Sequence, residues 1–232
     1  RLIGGIVGEV AIHDDAYLGE SVILENQIDT IDFENQVTYF HGTAHVGHRL
    51  ILSVNNALGP LLSITDFGDL AQVKSELKNL YRPGEVPAPV EFQPVFDDCQ
   101  LPVNRHTRYD RVLQWDNNEK VVVQKLITQS APYFQDHFPG RPVLPLSFLL
   151  ECTLQLGYEF IVQSDASIQL KQVRLEKVRR IKMMEFVEPG DIVETTLRMT
   201  AKSDTGISLD FVAKVHDKKV CVAKADYTLR PV

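Results

Sequence analysis

The segment HFPGRPVLPLSFLLE, residues 137–151, is the stretch on which the interpretation of the whole chain depends. It opens with a loop rich in proline and glycine, and because proline restricts the backbone, His137 is predicted to be held in place. Pro145 suits the first turn of a helix, where no N–H is needed. The mostly apolar residues from Leu146 onward predict a helix that is buried on nearly every side. Ser147 is predicted to be its N-cap.

One carboxylate stands out in this apolar helix. Glu151 is the only charged residue between Val143 and Tyr158. An unpaired buried carboxylate is costly, so we expect it to have a partner or a raised pKa. A carboxyl group of raised pKa is a suitable general acid near neutral pH, and a nearby histidine is a suitable base. The alternatives are a surface histidine and a glutamate on a solvent-facing edge of the helix.

The motif HFPGRPVLP, with a carboxylate fourteen residues after its histidine, resembles the signature of the β-hydroxyacyl-ACP dehydratases. The similarity extends to both sides: residues 101–112 resemble the opening strand of that family, and EPGD at 188–191 resembles one of its turns. The resemblance covers about residues 99–232. It implies the hotdog fold of class α+β, in which an antiparallel sheet wraps round a central apolar helix.

The resemblance also implies roles for individual residues. His137 would be the base that removes the C2 proton, and Glu151 would support loss of the C3 hydroxyl as water. Backbone N–H groups at the start of the helix would polarise the thioester carbonyl. The implied substrate-binding residues are Phe138, Gly140, Pro145 and Leu146.

Two features depart from the family pattern or complicate it. Leu146 stands where the family usually has glycine, and its side chain would crowd the substrate channel. The family also usually draws the histidine and the carboxylate of one site from opposite modules. The partner of His137 is therefore either Glu151 or a carboxylate on another helix or chain.

A weak internal repeat predicts two tandem hotdog modules. In one ungapped register the matches are Gly19 with Gly190, Val22 with Val193, Val10 with Ile181, Ile12 with Met183, Phe40 with Phe211 and His45 with His216. We expect a partial first module at 1–62, a helix and proline-rich linker at 63–98 and a complete second module at 99–232. The first copy's counterpart of the 137–151 segment would fall before Arg1, so the first module is expected to be incomplete.

Composition limits the function classes. A net charge of −7 argues against general binding of nucleic acid. No apolar run approaches the roughly 20 residues of a membrane helix, and no signal peptide is visible, so we expect a cytoplasmic protein that does not bind membranes. The three cysteines form no CxxC pair, so no zinc site is expected.

The predicted function is dehydration of a 3-hydroxyacyl thioester to the trans-2-enoyl thioester in fatty-acid or polyketide synthesis. No metal or redox cofactor is implied, since the acyl group would be carried on phosphopantetheine or coenzyme A. The alternatives are a hotdog acyl thioesterase and a catalytically inactive scaffold module of a synthase. The chain would act as a homodimer or as part of a larger synthase.

A basic run is the predicted docking surface for an acidic acyl carrier protein or a phosphate group. Its members are Arg174, Lys177, Arg179 and Arg180. The alternative interpretation is a solvated strand face.

Overall fold

The structure is a computed structural model that describes residues 5–17, 19–66, 69–80, 107–117, 119–135, 137, 141–164, 168 and 173–230. Most of the predicted proline-rich linker lies outside these residues, as do Phe138 and Gly140. The three predicted segment boundaries therefore stay predictions.

The described chain contains ten strands and two α-helices. The strands are β1 (Ile6–Ile12), β2 (Ile23–Asp32), β3 (Val37–Val46), β4 (Arg49–Pro60), β5 (Arg111–Asp116), β6 (Lys120–Leu126), β7 (Val173–Met183), β8 (Ile192–Lys202), β9 (Gly206–Val215) and β10 (Lys218–Leu229). The helices are α1 (Leu70–Leu80) and α2 (Leu146–Ser164), with short 3₁₀ turns at Ile64–Asp66 and Pro132–Phe134.

All ten strands belong to one antiparallel sheet in the order β2-β3-β4-β1-β7-β10-β9-β8-β6-β5. Along strands of the second half, such as β6 and β9, side chains alternate between two environments, which is the pattern of a sheet with one covered face. In β9, for example, Ile207, Leu209 and Phe211 are buried while the residues between them are half-buried. The strands β7 to β10 and β6 thereby present one apolar face to α2.

Helix α2 lies against this face. Its buried residues are Leu149, Cys152, Thr153, Leu156, Gly157, Phe160 and Ile161, which recur at helical spacing. The hydroxyl of Tyr227 on β10 donates a hydrogen bond of 2.9 Å to the carbonyl oxygen of Leu154. The predicted apolar core helix is therefore present.

The predicted burial of α2 on nearly every side is wrong. Ser147 and Glu151 are exposed, because the sheet covers one side of the helix and no described element covers the other. The N-cap prediction for Ser147 is also wrong. The helix begins at Leu146, so Ser147 is already inside its first turn.

The repeat is visible in the topology. Strands β1 to β4 and β7 to β10 follow the same order on either side of the central pair β1–β7. Gly19 and Gly190 both have positive φ, 91° and 99°, which glycine adopts readily. Glu20 accepts a hydrogen bond from the N–H of Tyr17, and Asp191 accepts one from the N–H of Glu188, each of 2.8 Å. The two halves therefore share local detail as well as strand order.

The ungapped register fails beyond β2. Val46 pairs with Arg49 across the β3–β4 turn, and Val215 pairs with Lys218 across the β9–β10 turn, so Val46 corresponds to Val215. The predicted matches of Phe40 with Phe211 and of His45 with His216 are wrong by two residues. The connection from β2 to β3 is longer than the one from β8 to β9, so one register cannot fit both sides of it.

Helix α1 confirms that the segment 63–98 contains a helix, but its described side chains are exposed, including those of Leu70, Val73 and Leu77. Among the described residues, no helix is long and apolar enough to cross a membrane.

Candidate active site

His137 is held by its ring. Its Nδ1 lies 2.9 Å from the carbonyl oxygen of Val143. A carbonyl oxygen only accepts hydrogen bonds, so Nδ1 carries the proton, and the lone pair of the neutral ring is on Nε2. This is the tautomer that a general base with Nε2 as its reactive atom requires.

The loop around His137 is tied to the turn that precedes β8. The N–H of Leu144 donates to the carbonyl oxygen of Val187 at 2.7 Å. Arg141 donates from Nε and Nη2 to Glu188 Oε1 at 3.3 and 3.2 Å, and its guanidinium carbon lies 5.5 Å from the centre of the Phe186 ring. Cross-links to a neighbouring turn therefore add to the stiffness that the prolines supply.

The loop delivers the chain directly into α2. Pro145 precedes the helix, and the N–H of Leu149 bonds to the carbonyl oxygen of Pro145 at 3.1 Å. The N–H groups of residues 146–148 come before the first carbonyl that this helix can offer them, so they form a set of aligned donors. Such donors can stabilise negative charge on a carbonyl oxygen.

Leu146 packs against both core clusters of the second half, one around Phe160 and the other around Leu149. This gives the leucine a structural role at the position where a glycine was expected. Phe138 and Gly140 lie outside the described residues.

Glu151 is exposed in the second turn of α2, on the side turned away from the sheet. The prediction that it is buried is therefore wrong, and the solvent-facing alternative is correct. Because α2 packs against the sheet through its other side, the carboxylate is accessible to a ligand or to a second helix.

A pocket of about 180 Å³ between α2 and the β5–β6 hairpin was not anticipated from the sequence. Its lining includes the apolar residues Val112, Trp115, Val123 and Leu156 and the polar residues Thr107, Arg108, Gln155 and Glu159. The hydroxyl of Thr107 donates to Gln155 Oε1 at 2.7 Å. Apolar walls with a few polar groups suit a small amphipathic ligand group.

A buried lysine supports one side of this pocket. The ammonium of Lys125 donates a 2.6 Å hydrogen bond to the carbonyl oxygen of Arg108 and lies 5.8 Å from the Phe148 ring centre. A signal for it exists in the sequence, because Lys125 continues the inward-facing series Val121 and Val123 on β6. Cys152 also lines the pocket, but burial raises the pKa of its thiol to about 12, so it is not a nucleophile at neutral pH.

Most of the predicted carrier-docking run is engaged within the molecule. Arg179 binds Asp226 through two hydrogen bonds of 2.7 and 2.9 Å. Arg174 lies 3.6 Å from Asp15 and Lys177 lies 3.8 Å from Glu9. Arg180 is exposed and, within the described part of the chain, has no ion pair, so it is the member of the run most available to a partner.

Comparison with known proteins defines the class. A family model described as the FabA-like domain matches residues 101–224, which is more than half of the chain. The chain belongs to the FabA-like family. A 3-hydroxyacyl-(acyl-carrier-protein) dehydratase FabZ of Lactobacillus helveticus is 30% identical over 118 residues, which is 51% of this chain and 79% of that protein. The FabZ of Rickettsia africae is 37% identical over 82 residues, 35% of this chain and 57% of that protein.

Solved structures establish the fold over both halves. A tesB protein of Mycobacterium avium subspecies paratuberculosis superposes with a TM-score of 0.64 and 9% identity, over 100% of this chain and 80% of that one. An oleoyl thioesterase structure from Lactobacillus plantarum gives 0.56 and 11%, over 100% and 77%. The expected hotdog fold is therefore confirmed. At these identities the likeness concerns the fold alone.

Proposed function

We propose that this chain is a 3-hydroxyacyl-thioester dehydratase, a hydro-lyase that forms the trans-2-enoyl thioester and water. The observation that carries the proposal is the His137 geometry. The Nδ1 of its ring is bound to the Val143 carbonyl at the entrance to α2, inside the region that matches the FabA-like family.

In this proposal Nε2 of His137 removes the proton from C2 of the substrate. The developing enolate oxygen is stabilised by the N–H groups at the start of α2, where the helix dipole also favours negative charge. The carboxyl group of Glu151, once bound substrate or a second helix covers it, donates a proton to the C3 hydroxyl as the C3–O bond breaks, and water leaves. Transfer of a proton from the His137 ring to the Glu151 carboxylate then restores both groups for the next turnover.

The substrate would be a thioester of phosphopantetheine on an acyl carrier protein or of coenzyme A, within fatty-acid or polyketide synthesis in the cytoplasm. The names of the FabZ relatives specify a substrate on an acyl carrier protein, which favours a carrier-bound thioester over a coenzyme A thioester. Arg180 is the proposed contact for the acidic carrier, because opposite charges on the two surfaces speed their encounter.

The test is turnover of a 3-hydroxyacyl thioester by the purified chain and by His137→Ala. Loss of a general base lowers turnover by roughly 10²-fold or more, and we expect a loss of that size with little change in thermal unfolding. His48→Ala is the matched control, since His48 is exposed in the β3–β4 turn of the other half.

The product identifies the reaction. Enoyl thioester supports the dehydratase, whereas free acid with free thiol would make the chain a thioesterase. Tight carrier binding without turnover would make it a scaffold module. Turnover of His137→Ala close to that of the unchanged chain would refute the assignment of the base.

A further inference from the structure

Lys125 is the only charged side chain among the buried residues that the structure describes, with 4% of its surface exposed. Its ammonium donates a hydrogen bond of 2.6 Å to the carbonyl oxygen of Arg108 and lies over the Phe148 ring, 5.8 Å from the ring centre. An ammonium group can donate three hydrogen bonds. The charge is therefore held by one neutral carbonyl group and by the face of an aromatic ring.

No carboxylate balances this charge at ion-pair distance in the described part of the chain. Asp110, just before β5, instead accepts a hydrogen bond of 2.6 Å from the N–H of Leu126. A buried charge without a counter-charge is destabilising, and an apolar residue of similar length, such as methionine, avoids that penalty. Proteins depart from such rules mainly at functional sites, so the surroundings of Lys125 are informative.

The ammonium lies at the end of the sheet where the His137 loop is anchored. Lys125 is near the end of β6, and Ile127 exchanges two backbone hydrogen bonds, of 3.0 and 2.7 Å, with the turn at 188–191. The same turn binds Arg141 of the loop through its glutamate. One turn therefore ties the end of β6 to the loop that holds the proposed base.

Phe148 connects the ammonium to the first turn of α2. Its N–H is one of the three donors, at residues 146–148, that have no carbonyl partner within the helix. Its ring packs against Tyr133, with the ring centres 4.3 Å apart. A cation over an aromatic ring is attracted to it, most strongly where water is excluded. Lys125 therefore holds the ring of Phe148 and, through it, the turn that carries the donors.

The charge of Lys125 also acts on the helix directly. Burial raises the pKa of the Cys152 thiol to about 12, and the charge of Lys125 is the largest of the effects that oppose this rise. Cys152 is in the second turn of α2, so the field of the ammonium covers the beginning of the helix. The helix dipole places positive charge at the same end, and the two fields together favour negative charge on a bound carbonyl oxygen.

We propose that Lys125 is a positioning residue for the thioester carbonyl. Its ammonium fixes the first turn of α2 through Phe148 and adds a permanent positive charge behind the N–H donors of that turn. This inference rests on the proposed function only in that the chain reacts with a thioester. Dehydration and hydrolysis both develop negative charge on the thioester oxygen, so Lys125 has the same role in either reaction.

The experiment measures kcat and KM of the purified chain and of Lys125→Met for a 3-hydroxyacyl thioester, with enoyl thioester and free acid both assayed as products. Two unit charges roughly 10 Å apart, at the effective dielectric constant of a protein, interact strongly enough to change a rate about tenfold. We expect kcat to fall by about that factor with KM unchanged, because the lost interaction strengthens only as the oxygen becomes negative.

Thermal unfolding of the same preparations separates positioning from packing. Methionine fills the space of the lysine stem, and removal of the buried charge offsets the lost hydrogen bond to Arg108, so the unfolding temperature should change little. Lys120→Met is the matched control, since Lys120 is half-buried on the opposite face of the same strand. It should leave both kcat and the unfolding temperature unchanged. Lys125→Arg keeps the charge and should recover part of the kcat that Lys125→Met loses.

The outcomes distinguish this inference from the proposed reaction. Equal kcat of Lys125→Met and an active unchanged chain would overturn the role of Lys125 and leave the dehydration intact. Loss of folding in Lys125→Met, or equal kcat of the Met and Arg variants, would assign Lys125 to packing. Free acid as the product, with the same loss of kcat in Lys125→Met, would refute the dehydratase and support the role of Lys125. No turnover by the unchanged chain would overturn both.

Discussion

At the scale of single residues, His137 and Glu151 differ in how they are held. The histidine ring is fixed by the Val143 carbonyl, whereas the carboxylate extends into solvent from a helix that is anchored on its other side. A histidine base needs one fixed tautomer. An exposed carboxyl group is shielded from solvent only when a ligand or another element binds over it. The histidine site is therefore preformed, and the carboxylate site depends on what covers α2.

Glu151→Gln separates chemistry from packing. Because Glu151 is exposed, its replacement should change the free energy of unfolding by no more than about 0.5 kcal/mol. Glutamine cannot donate and regain a proton in the reaction, so turnover should fall by about 10²-fold. Chemical denaturation and the dehydration rate are measured on one preparation. Full activity of the variant would mean that the acid lies on another helix or chain.

The residue pattern predicted the histidine but not the surroundings of the glutamate. Proline and glycine around His137 act locally, so their effect can be derived from the sequence. The exposure of Glu151 depends on which elements pack over α2, and the apolar composition of the helix contains no information on that. The inward direction of Lys125 is equally hidden in its residue type, since it is evident only when the alternation of β6 is followed to its end.

At the scale of elements, the contact between α2 and the sheet depends on one small residue. A Cβ placed on Gly157 would lie 2.7 Å from the Tyr227 hydroxyl oxygen and 3.0 Å from Leu209 Cδ1. The absence of a side chain lets the helix approach the sheet closely enough for Tyr227 to reach the Leu154 carbonyl.

Gly157→Ala should therefore destabilise the fold although alanine favours helices. The propensity gain is about 1 kcal/mol, and overpacking of a core typically costs about 1–3 kcal/mol. We expect a net loss of about 1 kcal/mol in the free energy of unfolding, measured by urea denaturation. Gln163→Ala, at an exposed position of the same helix, should show no such loss. Equal stability of the two variants would contradict the close-packing argument.

The positions of helices along the chain were easier to predict than the register that relates the two halves of the sheet. The apolar residues from Leu146 onward located α2, and a helix was expected in the segment 63–98 that contains α1. The register of the repeat was lost after β2 because a change in turn length leaves no mark on the apolar pattern of the strands that follow it. The repeat itself survived because the Gly-acidic turns at 19–20 and 190–191 keep the same hydrogen bond.

At the scale of the whole molecule, the two halves meet at β1 and β7, and the basic run lies along this joint. Burial raises the pKa of the Asp226 carboxyl, but the hydrogen bonds from Arg179 and Ser208 outweigh that effect and lower the pKa below its ordinary value. A lowered folded-state pKa contributes stability that is present above the unfolded-state pKa, near 4, and is lost as the pH falls through the folded-state value.

Arg179 and Arg180 should consequently separate stability from docking. Arg179→Met should lower the unfolding temperature at pH 7, and its difference from the unchanged chain should shrink below about pH 4 as Asp226 becomes protonated.

Arg180→Met should leave the unfolding temperature unchanged and raise KM for a carrier-bound substrate more than for a short thioester analogue. The difference between the two substrates should decline as salt screens the charge. Thermal scans across pH test the Arg179→Met prediction, and steady-state kinetics at two salt concentrations test the Arg180→Met prediction. Equal effects of Arg180→Met on both substrates would exclude it from carrier docking.

The β1–β7 pair also sets an order of events during folding. It joins residues near Val7 to residues near Ile181, so it can close only after a very long intervening stretch of chain has been brought together. Strands β8, β9 and β10 follow one another closely and pack against α2, so they gain contacts at lower entropic cost. We therefore expect the second half to fold first and β1 to pair with it afterwards, so that the first half, with its small core around Ala44, Val46 and Ile51, is completed last.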